Sequence, residues 1–100
     1  MITMASRRSK FEIYVDILTE IKNGTVLPTH IMYGANLSWR MLKQKLETLI
    51  AQGLVDEQPR EGGKRRRKIY TLTGKGDNVL NYFNKMKELL EPEAAVEIPV

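Results

Sequence analysis

The sequence predicts an α+β fold that is mostly α, and three observations predict it. Apolar residues recur at helical spacing in three stretches, Phe11 to Ile21, Trp39 to Ile50 and Val79 to Leu90. Two short runs, Leu54–Gln58 and Arg66–Leu72, flank a Gly62-Gly63 turn as a β-hairpin would. Residues that cap helices stand where each helical stretch begins. One hundred residues without cysteine make one domain, large enough for a single core without a disulfide or metal.

Residues 1–6 form an unstructured lead-in. Ser9 and Glu12 then make a capping box, each able to satisfy the other's orphan backbone donor. The first helix runs from there, or from Ser6, to Lys22, with Asn23-Gly24 as its stop. Its stripe is Phe11, Tyr14, Ile17, Leu18 and Ile21. Thr25–Leu27 is a short β-like run ended by Pro28. Thr29 caps a brief helix from His30 to Tyr33, and Gly34 breaks it.

The central helix follows. Ser38 is its N-cap, Trp39, Leu42, Leu46, Leu49 and Ile50 its buried stripe, and Gly53 its stop. At about 100° per residue, Arg40 and Gln44 lie opposite that stripe, with Lys43 and Lys45 on its two flanks. Two helices joined by a tight glycine-containing turn read as helix-turn-helix.

The hairpin has its tip at Pro59 to Lys64, and Tyr70 and Leu72 share one face of the return strand. Thr73 caps a last helix reaching Leu90, with Pro92 beyond it. Val79, Phe83, Met86 and Leu90 are spaced four, three, four, the rhythm of a coiled-coil seam. The order of elements is that of a winged helix-turn-helix (residues 7–73) with an additional C-terminal helix (74–91) and an acidic, apolar tail (92–100).

Net charge is +4, but its distribution is uneven. All 16 lysines and arginines, and only eight of the twelve acids, lie in residues 1–87. The wing carries Lys64, Arg65, Arg66, Arg67 and Lys68 in one run. Such a concentration of base suits a polyanion partner. Strand alternation sends Arg65 and Arg67 to one face and Arg66 to the other, where they can meet phosphates or a narrow minor groove. A solvated charged loop is the bland alternative.

A basic outer helix face can enter a DNA major groove. Ser38, Arg40, Lys43, Gln44 and Lys45 are the candidates there, since arginine pairs with guanine and glutamine with adenine. Glu47 on the same side repels phosphate. Arg7, Arg8 and Lys10, at the start of the first helix, are candidates for the DNA backbone. Trp39, Tyr14, Tyr33 and Tyr70 read as core or core edge. His30 has no second ligand near it in sequence, so no metal site is expected. Asp16, Asp56 and Asp77 lie on different elements. With no nucleophile–base pair and no phosphate-cradling glycine loop, neither an enzyme nor a cofactor is expected. No run has the length of a membrane span or the apolar core of a signal peptide, so a cytoplasmic protein is expected.

Ile31-Met-Tyr-Gly-Ala-Asn-Leu-Ser38, the leucine-spaced helix ending Gly-Leu-Val55, and Tyr70-Thr-Leu-Thr-Gly-Lys-Gly76 resemble the small archaeal winged-helix DNA-binding proteins of the ten-kilodalton class. Chromatin-associated proteins and transcriptional regulators belong to it. The resemblance covers residues 8–90. It implies duplex DNA as ligand and a homodimer joined by the last helices as an antiparallel coiled coil, here through Val79, Phe83, Met86 and Leu90. Two features depart from the family: a longer, more basic wing, and a shorter last helix.

The function expected is a homodimeric, double-stranded DNA-binding transcriptional regulator. An architectural chromatin protein, a winged-helix protein-interaction module and an RNA-binding winged helix are the alternatives.

Overall fold

The computed structural model describes residues 8–60 and 67–90, which form four helices and one two-stranded antiparallel sheet. Helix α1 (Lys10–Lys22) begins on the expected capping box. Ser9 Oγ accepts from the Glu12 N–H at 3.1 Å, and Glu12 Oε1 accepts from the Ser9 N–H at 2.7 Å. The second of these bonds holds the Glu12 carboxyl below the usual carboxylate range. Asn23 caps the far end, and Gly24 takes φ +100°, where a side chain would be strained.

The expected strand at Thr25–Leu27 does not form. Val26 accepts one backbone bond, from Tyr70 N–H at 3.0 Å, and the chain then turns into a helix. The reason is Pro28, whose fixed φ suits a first helical turn and cannot extend a ladder. Helix α2 (Pro28–Gly34) therefore starts at the proline, with Leu27 rather than Thr29 as its N-cap residue. Gly34 remains helical instead of breaking the helix, and the left-handed residue is Asn36, at φ +56°. A Cβ at 34 would meet only the carboxylate end of the Glu20 side chain of α1, which can swing aside.

Helix α3 (Trp39–Ala51) opens on Ser38, whose hydroxyl accepts from Met41 N–H at 3.1 Å, and stops at Gly53, with φ +77°. Strands β1 (Val55–Arg60) and β2 (Arg67–Leu72) pair from Val55↔Leu72 to Arg60↔Arg67. The hairpin thus stays paired past Pro59, where the tip was expected to begin. Helix α4 (Gly74–Leu90) begins at Thr73, whose hydroxyl accepts from Gly76 N–H at 2.9 Å and donates to the Gly53 carbonyl at 2.7 Å. One threonine thereby joins the start of α4 to the end of α3.

The core draws Ile17, Leu18 and Ile21 from α1, Ile31 from α2, Leu42, Leu46 and Leu49 from α3, and Leu80 from α4. Val55 and Tyr70 close it from the sheet. Each fully buried aliphatic side chain contributes about 1.5–3 kcal/mol of transfer free energy. This packing places the stripe of α3 inward and leaves its opposite face free.

Candidate nucleic-acid interface

Helix α3 carries the candidate surface, because its two faces differ in chemistry. Leu42, Leu46 and Leu49 are buried, while Arg40, Lys43, Gln44 and Glu47 are exposed. Ser38 is exposed at the helix start with its hydroxyl engaged as the cap. The two flanking lysines diverge. Lys43 borders a groove of about 780 Å³ between α3, the start of α2 and the sheet. Lys45 turns toward α1 and holds its Nζ 5.2 Å from the Tyr14 ring centroid, a cation–π distance. Lys45 is therefore half-buried at the edge of the face rather than on it.

Trp39, expected in the core or at its edge, is instead half-exposed, at 51 %. It lies beside the groove with Leu27 and Pro28, because the short α2 supplies only one wall there. Tyr33 is likewise exposed, whereas Tyr70 is buried and Tyr14 half-buried.

On the wing side, Tyr70 donates to Glu57 Oε2 at 2.9 Å across a directly paired position. Burial, and then that bond to the carboxylate, push the phenol up to about 12. Lys68 Nζ lies 3.6 Å from the same Glu57 oxygen and is exposed, so its charge at the wing base is partly balanced. Lys64, Arg65 and Arg66 lie outside the described residues; Arg67 opens β2.

At the start of α1 the three candidates separate. Arg7 lies outside the described residues. Arg8 meets Asp16 Oδ2 at 2.7 Å and also donates to the carbonyls of Ala35, at 2.7 Å, and Asn36, at 2.9 Å. Its guanidinium is a brace for the turn before α3. Lys10 is exposed and has no ion pair among the described residues.

The residues expected to join two subunits also separate. Val79 packs against the core, and the half-buried Phe83 sets its ring 6.4 Å from Phe11 of the same chain. Met86 and Leu90 are exposed, and with them Tyr82, Leu89 and Phe11. Reading the 79–83–86–90 rhythm as one stripe missed Tyr82 and Leu89. Their signal was the 82–86–89 spacing of four and three, a second row beside the first.

No helix among the described residues is long and apolar enough to cross a membrane, and no group of three or more metal-ligating side chains occurs among them.

A family model described as winged helix-turn-helix matches residues 7–91. An uncharacterized protein of Methanocaldococcus jannaschii is 31% identical over 84 residues, covering 84% of this chain and 78% of the relative. A second from the same organism is 29% identical over 87 residues, and there the chain spans only 37% of the relative's length. Among solved structures, a MepR mutant from S. aureus superposes with a TM-score of 0.77 at 14% identity, covering 87% of this chain and 65% of that one. The transcriptional regulator BldR from Sulfolobus solfataricus gives 0.72 at 19% identity, covering 84% and 60%. Sso10a-2, a DNA-binding protein from the same organism, gives 0.62 at 25% identity, covering 93% of this chain and 99% of its own.

Proposed function

Because the chain belongs to the winged helix-turn-helix family, we propose that it is a double-stranded DNA-binding transcriptional regulator that acts as a homodimer at the nucleoid. The observation that carries the reading is the outer face of α3, where Arg40, Lys43 and Gln44 stand exposed while Leu42, Leu46 and Leu49 are buried. In this reading α3 enters the major groove, where arginine and glutamine side chains can read base edges. Ser38 and Lys45 border that surface, and Lys10 meets the backbone beside it. Lys64 to Lys68 of the wing take flanking phosphates or the minor groove. The exposed apolar row of Tyr82, Met86, Leu89 and Leu90, continued by Phe11, supports pairing of two copies through α4. A dimer would set two recognition helices about one DNA turn apart, or a multiple of it. The comparison that supports DNA as ligand most directly is the likeness to Sso10a-2 along nearly its whole length.

Fluorescence anisotropy against a random-sequence duplex, across a salt series, tests this reading. Binding that weakens steeply with salt, at about 0.9 in log–log slope per neutralised phosphate, is expected. Absence of binding at low salt would refute it.

A further inference from the structure

Glu47 is out of place on a phosphate-binding surface. It is exposed on α3, one turn beyond Lys43 and Gln44, and it forms no ion pair among the described residues. It borders both clefts that flank the helix, the groove toward the sheet and the cleft toward α1. Lys43 borders only the first of these and Lys45 only the second. A residue shared by both clefts sits on the ridge between them, the part of the helix that projects farthest. Ala51, one turn on, borders both as well.

Arg40, Gln44, Glu47 and Ala51 follow one another at steps of four, three and four, so they form a single row along that side of the helix. Their chemistries match the four base edges of the major groove. Arginine takes guanine, glutamine adenine, a carboxylate the N4 amino group of cytosine, and an alanine methyl the methyl of thymine. The lysines, which suit phosphate, stand to either side. A carboxylate on the ridge opposes binding driven by phosphate alone, because it adds a like charge close to the polyanion. It favours binding only where a base amino group faces it.

We propose that Glu47 is a specificity-determining residue of α3: its carboxylate accepts a hydrogen bond from a cytosine N4 amino group and repels duplexes that present none there. The proposal rests on the reading of α3 as a major-groove helix and extends it from DNA binding to sequence selection.

The test is selection of bound duplexes from a random library, with the full chain and with its E47A and E47Q variants. Anisotropy on random duplex runs in parallel, and circular dichroism confirms folding. Wild-type sites should share a cytosine at one position of each half-site, preferred about tenfold over other bases. E47A should lose that preference and bind random duplex several-fold more tightly. E47Q should move the preference at that position from cytosine to adenine. If wild type binds random duplex but enriches no cytosine, the proposal fails while the DNA-binding reading stands. It fails in the same way if E47A keeps both the cytosine and the wild-type affinity for random duplex. If wild type binds no DNA at low salt, both fail.

Discussion

Arg8 donates to the carbonyl of Ala35 at 2.7 Å, across 27 positions of chain, while the same guanidinium meets Asp16. The bond joins the chain two residues ahead of α1 to the turn that launches α3. It thereby sets where α3 starts relative to α1. The group is partly exposed, at 25 % for the side chain, so its charge is incompletely screened by solvent.

Replacing Arg8 by alanine should lower unfolding stability by about 1–2 kcal/mol, the range for hydrogen bonds to a charged group at a part-exposed site. Lysine should recover only part of this, because one ammonium cannot reproduce the fork. Urea denaturation measures it, and an unchanged midpoint in Arg8→Ala would show the brace to be idle.

Gly76 lies where a Cβ would overlap the Leu54 carbonyl oxygen, so Gly76→Ala must push α4 away from the end of α3 at a cost of about 1–3 kcal/mol. Gly53→Ala forces an L side chain to φ +77° and should cost about 1–2 kcal/mol. Gly74, with nothing near its would-be Cβ, is the control: alanine there should be neutral or slightly stabilising. Equal melting shifts in all three variants would contradict this account.

The Tyr70 phenol is held at about 12, above its ordinary 10.0. A raised folded-state value means that the fold favours the protonated phenol. The stabilisation is therefore complete below pH 10 and is lost as pH rises toward 12. In an absorbance titration the Tyr70 phenol should ionise toward pH 12, and Tyr70→Phe should remove that component. Tyr70→Phe should cost about 0.5–1.5 kcal/mol at neutral pH through the missing bond to Glu57, and should blunt the alkaline loss of stability. A variant that loses stability between pH 10 and 12 as steeply as wild type would place the titration elsewhere.

Met86→Glu with Leu89→Glu should yield folded monomers, because both side chains are exposed in the single chain. Val79→Glu should instead destabilise the domain itself, since Val79 packs against the core. Sedimentation and thermal melts separate the two effects. A double variant that still sediments as a dimer would move the interface away from α4.

Arg65, Arg66 and Arg67 replaced together by alanine should weaken binding to all sequences and flatten the salt slope by about 0.9 for each phosphate no longer neutralised. Anisotropy across the salt series reads both quantities. An unaltered slope would remove the wing from the interface.

The elements with local causes were legible in the sequence. Ser9 with Glu12, Ser38 and Thr73 start their helices through bonds to residues three positions away, and Gly24 and Gly53 end theirs through φ alone. The stripe of α3 followed from period, and so did the identity of its free face. Boundaries governed by competition between neighbours were less legible: Pro28 claimed the helix start expected of Thr29, and Gly34, expected to break the short helix, stays within it while Asn36 turns left-handed beyond it.

What only the tertiary structure decided is how far each side chain on a helical face is covered, because coverage depends on the length and angle of a second element. Period placed Trp39 near the buried stripe, but the short α2 leaves it half-exposed. Charge placed Arg8 and Lys10 together; the Ala35 and Asn36 carbonyls, brought close by the fold, separate them by occupying Arg8. The heptad rhythm grouped Val79 with Met86, yet α1 and the core cover the first and leave the second in solvent. The sequence by itself determined the four helices and the hairpin, their order and the basic outer face of α3. Which of those residues face outward together, and which are held within the domain, was settled by packing between residues distant along the chain.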